Sequence, residues 1–164
     1  MNAVATAAPT FDQINRNAQV YPVSLLPQGG TALALFCAGF HGWNDVVHMA
    51  RKEMDVTCVD VDSEKLWEMA CVYPKPWEYH VDDAWEFACH ALADGRKWDV
   101  VSVDPFMGDA ADKCRDYLMV FCGLATSLVT MTIDLDRPMW APPGWMAYVF
   151  ARNSRVGWMV LRRA

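Results

Sequence analysis

Four short segments carry the residues of this chain that are suited to chemistry. They are Cys37-Ala38-Gly39-Phe40-His41-Gly42, the acids Asp60 and Asp62, the acids Asp82 and Asp83, and Asp104-Pro105-Phe106-Met107. Each follows a run of strand length. Gly39 and Gly42 allow a tight turn and let the backbone approach a ligand without a Cβ in the way. A helix starting just after such a turn aims its free N–H groups and the positive end of its dipole into the same space. Asp60 follows Gly39 by 21 residues, close to the ~20-residue offset at which a carboxylate reaches ribose hydroxyls in dinucleotide-type sites. Taken singly, the glycines are a turn and Asp60 is a solvated strand end. Together, inside a strand–turn–helix context, they favour a nucleoside site. Asp104 is suited to accept a hydrogen bond from an amine, and Phe106 to stack on a planar acceptor. As structural residues they would be a loop-capping acid and a core or lid ring.

The elements that must position these segments alternate. Residues 1–30 lack a clear period and end in Pro27-Gln28-Gly29-Gly30, so they read as an N-terminal arm with one short helix near Phe11–Asn17. Residues 31–164 read as one domain. Thr31–Cys37 is an apolar run expected of a strand buried on both faces, and Asn44–Glu53 is a helix with Asn44 or Asp45 placed to cap it. Val56–Val61 is the second strand, and Ser63 caps a helix over Glu64–Cys71. A short strand at Trp77–Val81 precedes a helix over Asp83–Ala93 that stops at Gly95. Trp98–Val103, a helix over Ala110–Leu124 and a strand at Ser127–Ile133 complete the alternation. A hairpin follows, with strands Trp145–Ala151 and Val156–Leu161 around a turn at Arg152–Arg155. Strands alternating with helices of about ten residues imply right-handed β-α-β units and a parallel sheet. The expected architecture is therefore an α/β three-layer α-β-α sandwich, with a seven-stranded, mostly parallel sheet ending in an antiparallel hairpin. In such sheets ligands bind beyond the carboxyl ends of the strands, where the four segments lie.

Composition narrows the function classes. The chain has 164 residues, 54% hydrophobic and 21% charged, which excludes a disordered chain. A net charge of −6 counts against a protein built mainly to grip nucleic-acid phosphates. The six cysteines, Cys37, Cys58, Cys71, Cys89, Cys114 and Cys122, show no C-x-x-C pair and no zinc spacing. They read as free thiols in a reducing, cytoplasmic compartment. The N-terminus has no basic region ahead of an apolar run, so a secretory signal is not expected. Tyr117 to Ile133 carries no charge but is short of the ~20 residues of a spanning helix. It also contains Gly123 and the hydroxyl residues Thr126, Ser127, Thr130 and Thr132. A helix end, a glycine turn and a buried strand account for it, with no membrane role.

The remaining candidates are weaker. His41 and His48 are seven apart and His80 stands two before Asp82, without metal-ligand spacing, so no metal is expected. Trp140, Trp145 and Trp158 are core residues by type, or else line an aromatic acceptor pocket or a protein interface. Arg152, Arg155, Arg162 and Arg163 form a solvated turn and tail, or the one edge at which phosphates would touch an acidic protein.

The succession of motifs over Thr31 to Arg162 resembles the class I S-adenosylmethionine-dependent methyltransferases. That resemblance implies a cofactor, S-adenosylmethionine, held by Cys37, Ala38, Gly39, His41 and Gly42 in the first turn. It implies Asp60 as the ribose ligand within VDVDSEKL, with Val61 beside it, and Asp83 and Ala84 as the "D-A" pair that contacts the adenine. Asp104, Pro105 and Phe106 resemble the D-P-P-Y/F motif of amino-methylating enzymes. The implied activity is methyl transfer to an amino or ring nitrogen, with a nucleic acid, a protein or a small amine as acceptor. Three departures are visible. Leu35, Phe36 and Cys37 occupy the stretch where the family carries an acid, His41 replaces the middle glycine, and Phe106 replaces the second proline. The alternative is a non-catalytic, methyltransferase-like binding or scaffold protein working with a protein partner or as a homo-oligomer. A nicotinamide-type nucleotide binder is a third reading, weakened by the lack of a full G-x-G-x-x-G.

Overall fold

The apolar runs become strands because each can be covered on both faces. The computed structural model describes residues 23–38, 44–73, 76–105, 109–136, 140–151 and 155–164. After a single 3-10 turn at Val23–Leu25, the chain forms β1 (Thr31–Leu35), α1 (Asn44–Arg51), β2 (Asp55–Asp60), α2 (Ser63–Val72), β3 (Glu78–Val81) and α3 (Ala84–Ala93). It continues through β4 (Trp98–Val103), α4 (Asp109–Asp116), α5 (Leu118–Leu124), β5 (Ala125–Asp134), β6 (Trp145–Ala151) and β7 (Val156–Arg163). The sheet has seven strands in the order β3-β2-β1-β4-β5-β7-β6. The first five in that order are parallel, and β7 runs antiparallel to both β5 and β6. This is the three-layer α/β architecture expected from the alternation.

Alternate residues of the central strands feed two cores. Leu33, Leu35, Val101 and Val103 face a cluster that includes Trp85, Phe87, Ala88, Leu118 and Phe121, from α3 and α5. Ala32, Ala34, Val100 and Leu128 face the other cluster, with Val46 and Met49 of α1 and Leu66 and Met69 of α2. Leu26, within the stretch read as an arm, is buried in that second cluster. The strand order reverses between β1 and β4, so the crevice beyond their carboxyl ends is the switch point at which such sheets take ligands.

Several boundaries differ from the sequence reading, each for a local reason. β1 stops at Leu35 because Phe36 turns left-handed, at φ 59°. The first helix stops at Arg51, two residues short of the expected end, and Glu53 is left-handed at φ 57°. Asp62, not Ser63, caps α2, its carboxylate accepting from the Lys65 N–H. The helix expected over Ala110–Leu124 is two helices broken at Tyr117, and α5 passes into β5 without a loop. Gly123 is therefore no turn. It lies inside α5 against α3, where a Cβ would come 2.9 Å from Leu92 Cδ1. The uncharged stretch is thus α5 followed by a buried strand, and among the described residues no helix is long and apolar enough to cross a membrane. The expected helix at Phe11–Asn17 and the hairpin turn residues Arg152–Ser154 lie outside the described residues.

Candidate functional site

The site is assembled by main-chain bonds between the ends of β1, β2, β3 and β4. Phe36 N–H donates to Val59 O at 3.0 Å, Asp82 N–H to Asp60 O at 3.1 Å, and Asp104 N–H to Leu35 O at 3.2 Å. Each continues a parallel ladder one step past its strand, which brings the described parts of all four sequence segments to one edge. Asp60 is the hub. Its Oδ2 accepts from Ala38 N–H at 2.9 Å and its Oδ1 from Asp62 N–H at 3.0 Å. The carboxylate thereby fixes the start of the first turn and the approach to α2. Two oxygens have about four acceptor positions, so these two bonds leave capacity for a diol. Beside it Val61 is 70% exposed.

Asp83 begins the next crossover. Its Oδ1 accepts from Trp85 N–H at 2.8 Å and Glu86 N–H at 3.1 Å, making it the N-cap of α3. Ala84 is buried behind it. Trp85 is enclosed by Phe36 at 4.7 Å and Tyr117 at 5.0 Å between ring centroids, with Lys113 Nζ 4.8 Å over its ring. Cys37 is buried, and its Sγ lies 3.8 Å from Val59 O. Its neighbour Cys58 and its burial hold that thiol well above its ordinary pKa, so it is a packed residue and not a nucleophile.

Asp104 is half-buried and accepts through Oδ1 from Thr132 Oγ1, and Pro105 behind it is buried. Two strand steps deeper the same face of the sheet carries Ser102 and Thr130, paired in register on β4 and β5. Thr130 Oγ1 donates to Ser102 Oγ at 3.0 Å, and Ser102 Oγ donates to Asp45 Oδ2 at 2.9 Å. Asp45, in the first turn of α1, is 1% exposed and has rotated inward onto this hydroxyl row. Its Oδ1 accepts from the adjacent Val46 N–H at 2.9 Å. Burial, and then the charge of Asp104, push its carboxyl from 3.8 up to about 7, against the lowering effect of the Ser102 and Val46 bonds. Burial and the same Asp104 charge push the Cys114 thiol up to about 12.

Sequence reasoning placed Asp45 only as a cap and used Thr130 and Thr132 only to argue against a membrane span. The available signal was the period of two in VVSVD and LVTMTID. Hydroxyls and acids at alternate positions of an otherwise apolar strand put one polar row on one face. Gly39, His41, Gly42 and Phe106 lie outside the described residues, as do Phe40 and Met107.

The other candidates have structural positions. His80 sits 5.0 Å from the Phe87 ring and 3.4 Å from Glu78 Oε2. Among the described residues no group of three or more His, Cys, Asp or Glu is placed to hold a metal. Trp158 is buried and Trp140 exposed. Arg163 covers Trp145 at 5.0 Å and donates to Cys122 O and Ala125 O, so it ties β7 to α5. A cleft of about 380 Å³ lies at the opposite end of the sheet, lined in part by Asp55, Glu78, Arg96 and Trp98. Its Glu78 and Arg96 pair with each other at 3.4 Å.

This architecture is the class I S-adenosylmethionine-dependent methyltransferase fold. The candidate methyltransferase yhhF from Escherichia coli is similar at a TM-score of 0.65 and 17% identity, over 85% of this chain and 80% of that one. The candidate methylase HI0767 from Haemophilus influenzae is similar at 0.64 and 14% identity, over 83% and 80%. Magnesium protoporphyrin IX methyltransferase (ChlM) from Synechocystis, solved with bound S-adenosylmethionine, is similar at 0.54 and 13% identity, over 86% and 73%. No protein-family model matches the chain, and no curated protein sequence matches it.

Proposed function

We propose that this chain is an S-adenosylmethionine-dependent methyltransferase acting on an amino or ring nitrogen, with a nucleobase as one class of acceptor. We place it in the cytoplasm. The observation that carries the reading is Asp60. A carboxylate at the end of β2, beside the switch point, joins two turns, keeps acceptor capacity, and stands next to an exposed Val61.

The residues present fit the cofactor. Asp60 would take the ribose diol, Val61 one face of the adenine, and Asp83, whose two capping bonds both run to Oδ1, the adenine amino group through Oδ2. Ala38 to Gly42 would hold the amino-acid part. When bound, S-adenosylmethionine supplies an activated methyl on its sulfonium. The protein must then align the acceptor nitrogen with that methyl and exclude water. Asp104, held by Thr132, would accept a hydrogen bond from the acceptor N–H, turning the nitrogen lone pair toward the methyl and receiving the proton released after transfer.

The test is calorimetric titration of the purified protein with S-adenosylmethionine and, separately, with S-adenosylhomocysteine. Micromolar binding that is lost in Asp60→Ala supports the reading. A folded protein that binds neither compound overturns it, and a scaffold role with a protein partner takes its place.

A further inference from the structure

The buried acid on α1 has no part in the reading above, and its surroundings are unusual for a core. The face of the sheet covered by α1 and α2 is apolar at Ala32, Ala34, Val100 and Leu128. It then turns polar toward the carboxyl ends of β4 and β5, at Ser102, Thr130, Asp104 and Thr132. Burying a carboxyl there costs several kcal/mol unless it is neutral or fully bonded. Among the described residues no cation is paired with Asp45. Among them the charged or titratable groups acting on it are Asp104 at the end of β4 and Cys37 at the end of β1, with Ser102 and Thr130 as neutral neighbours. Asp45 is bonded to Ser102, which stands two residues before Asp104 on the same face of the sheet. Two acids on one buried face do not both ionise at little cost, so one of them keeps a proton. Asp104 is the more exposed of the two and has the Thr132 hydroxyl donating to it, which favours its charged form. Asp45 is sealed under α1, which favours its neutral form.

We infer that Asp45 and Asp104 form a carboxyl pair holding one proton between them, and that Asp45 is a positioning residue for the transfer step. It carries the proton so that Asp104 faces the acceptor as the ionised partner. This rests on the methyltransferase reading and adds to it. In the step itself a bond forms from the acceptor nitrogen to the methyl carbon as the carbon–sulfur bond breaks. The sulfonium becomes a thioether, and the nitrogen then gives one proton to Asp104. A charge change on Asp45 alters how strongly Asp104 takes that proton.

The experiment is a pH titration of the aspartate carboxyls by carbon-13 NMR on the full chain, run beside calorimetry with S-adenosylmethionine. In the wild type one aspartate should titrate near neutrality. That titration should vanish in Asp45→Asn and move toward the ordinary carboxyl range in Asp104→Asn, while Asp45→Asn keeps wild-type affinity for S-adenosylmethionine to within about twofold. The pair is overturned if no aspartate titrates above the ordinary range, or if the titration survives in Asp45→Asn. It is equally overturned if the titration is unmoved in Asp104→Asn, the arm that decides the matter should Asp45→Asn fail to fold. Wild-type protein with the expected titration but no affinity for S-adenosylmethionine would overturn the methyltransferase reading and the positioning role. The carboxyl pair would stand.

Discussion

Replacing Asp45 with asparagine should make this protein more stable at neutral and alkaline pH. The carboxyl rises from 3.8 to about 7 on folding, chiefly through burial. Three units at about 1.4 kcal/mol each amount to roughly 4 kcal/mol of linkage. The sign follows from which state holds the proton more tightly. Here the folded state does, so this stability is fully present below about pH 4, declines as the pH rises, and is gone once the pH passes about 7. Asparagine keeps an oxygen to accept from Ser102 Oγ and cannot ionise. Its added N–H₂ group, lacking an assigned partner, costs about 1 kcal/mol. The variant should therefore be slightly less stable than wild type near pH 4 and about 3 kcal/mol more stable at about pH 8. At 2–4 °C per kcal/mol for a chain of this size, the gap in Tm near pH 8 is about 6–12 °C. Urea denaturation of both proteins at half-unit steps of pH would read the difference directly. Two curves that stay parallel across this range, at a constant offset, would show that Asp45 titrates normally and would refute the reasoning.

Other outcomes follow from the same geometry. Asp104→Ala should leave S-adenosylmethionine affinity intact and lower transfer by about 10²–10⁴-fold once an acceptor is in hand; turnover near wild type in single-turnover assays removes Asp104 from the mechanism. Asp83→Ala deletes the cap of α3, and calorimetric melting should show a loss of about 1 kcal/mol, or 2–4 °C in Tm. Cys71 and Cys89 are exposed, whereas Cys37, Cys58, Cys114 and Cys122 are buried. Mass spectrometry after brief alkylation should find label on the first two in the native protein and on all six after denaturation. Rapid native labelling of Cys37 would contradict the packing described for the first turn.

Much of the fold was legible in the chain because local and tertiary forces agree there. Runs such as ALAL and VTCV are β-branched or apolar throughout, and only a strand covered on both faces buries every one of their side chains. The sequence reading starts that helix at Asp83, and the structure makes the same residue the cap of a helix that begins at Ala84. The boundaries missed were those that a distant contact decides. Phe36 ends β1 early with its ring on Trp85, and Gly123 reads as a turn residue but is a helix residue made small by Leu92.

By itself the sequence determined the order of strands and helices, the hairpin at the end, and the acids that close the strands, because period and residue type act over a few neighbours. Tertiary structure decided what those acids do. Asp60 became the hub of two turns only when β1 and β2 lay side by side, since Ala38 and Asp62 reach it from different segments. Asp45 became a buried, neutral-leaning acid only when α1 closed over Ser102 and Thr130. Its protonation depends on burial and on a charge more than fifty residues away in sequence, and no local pattern encodes either.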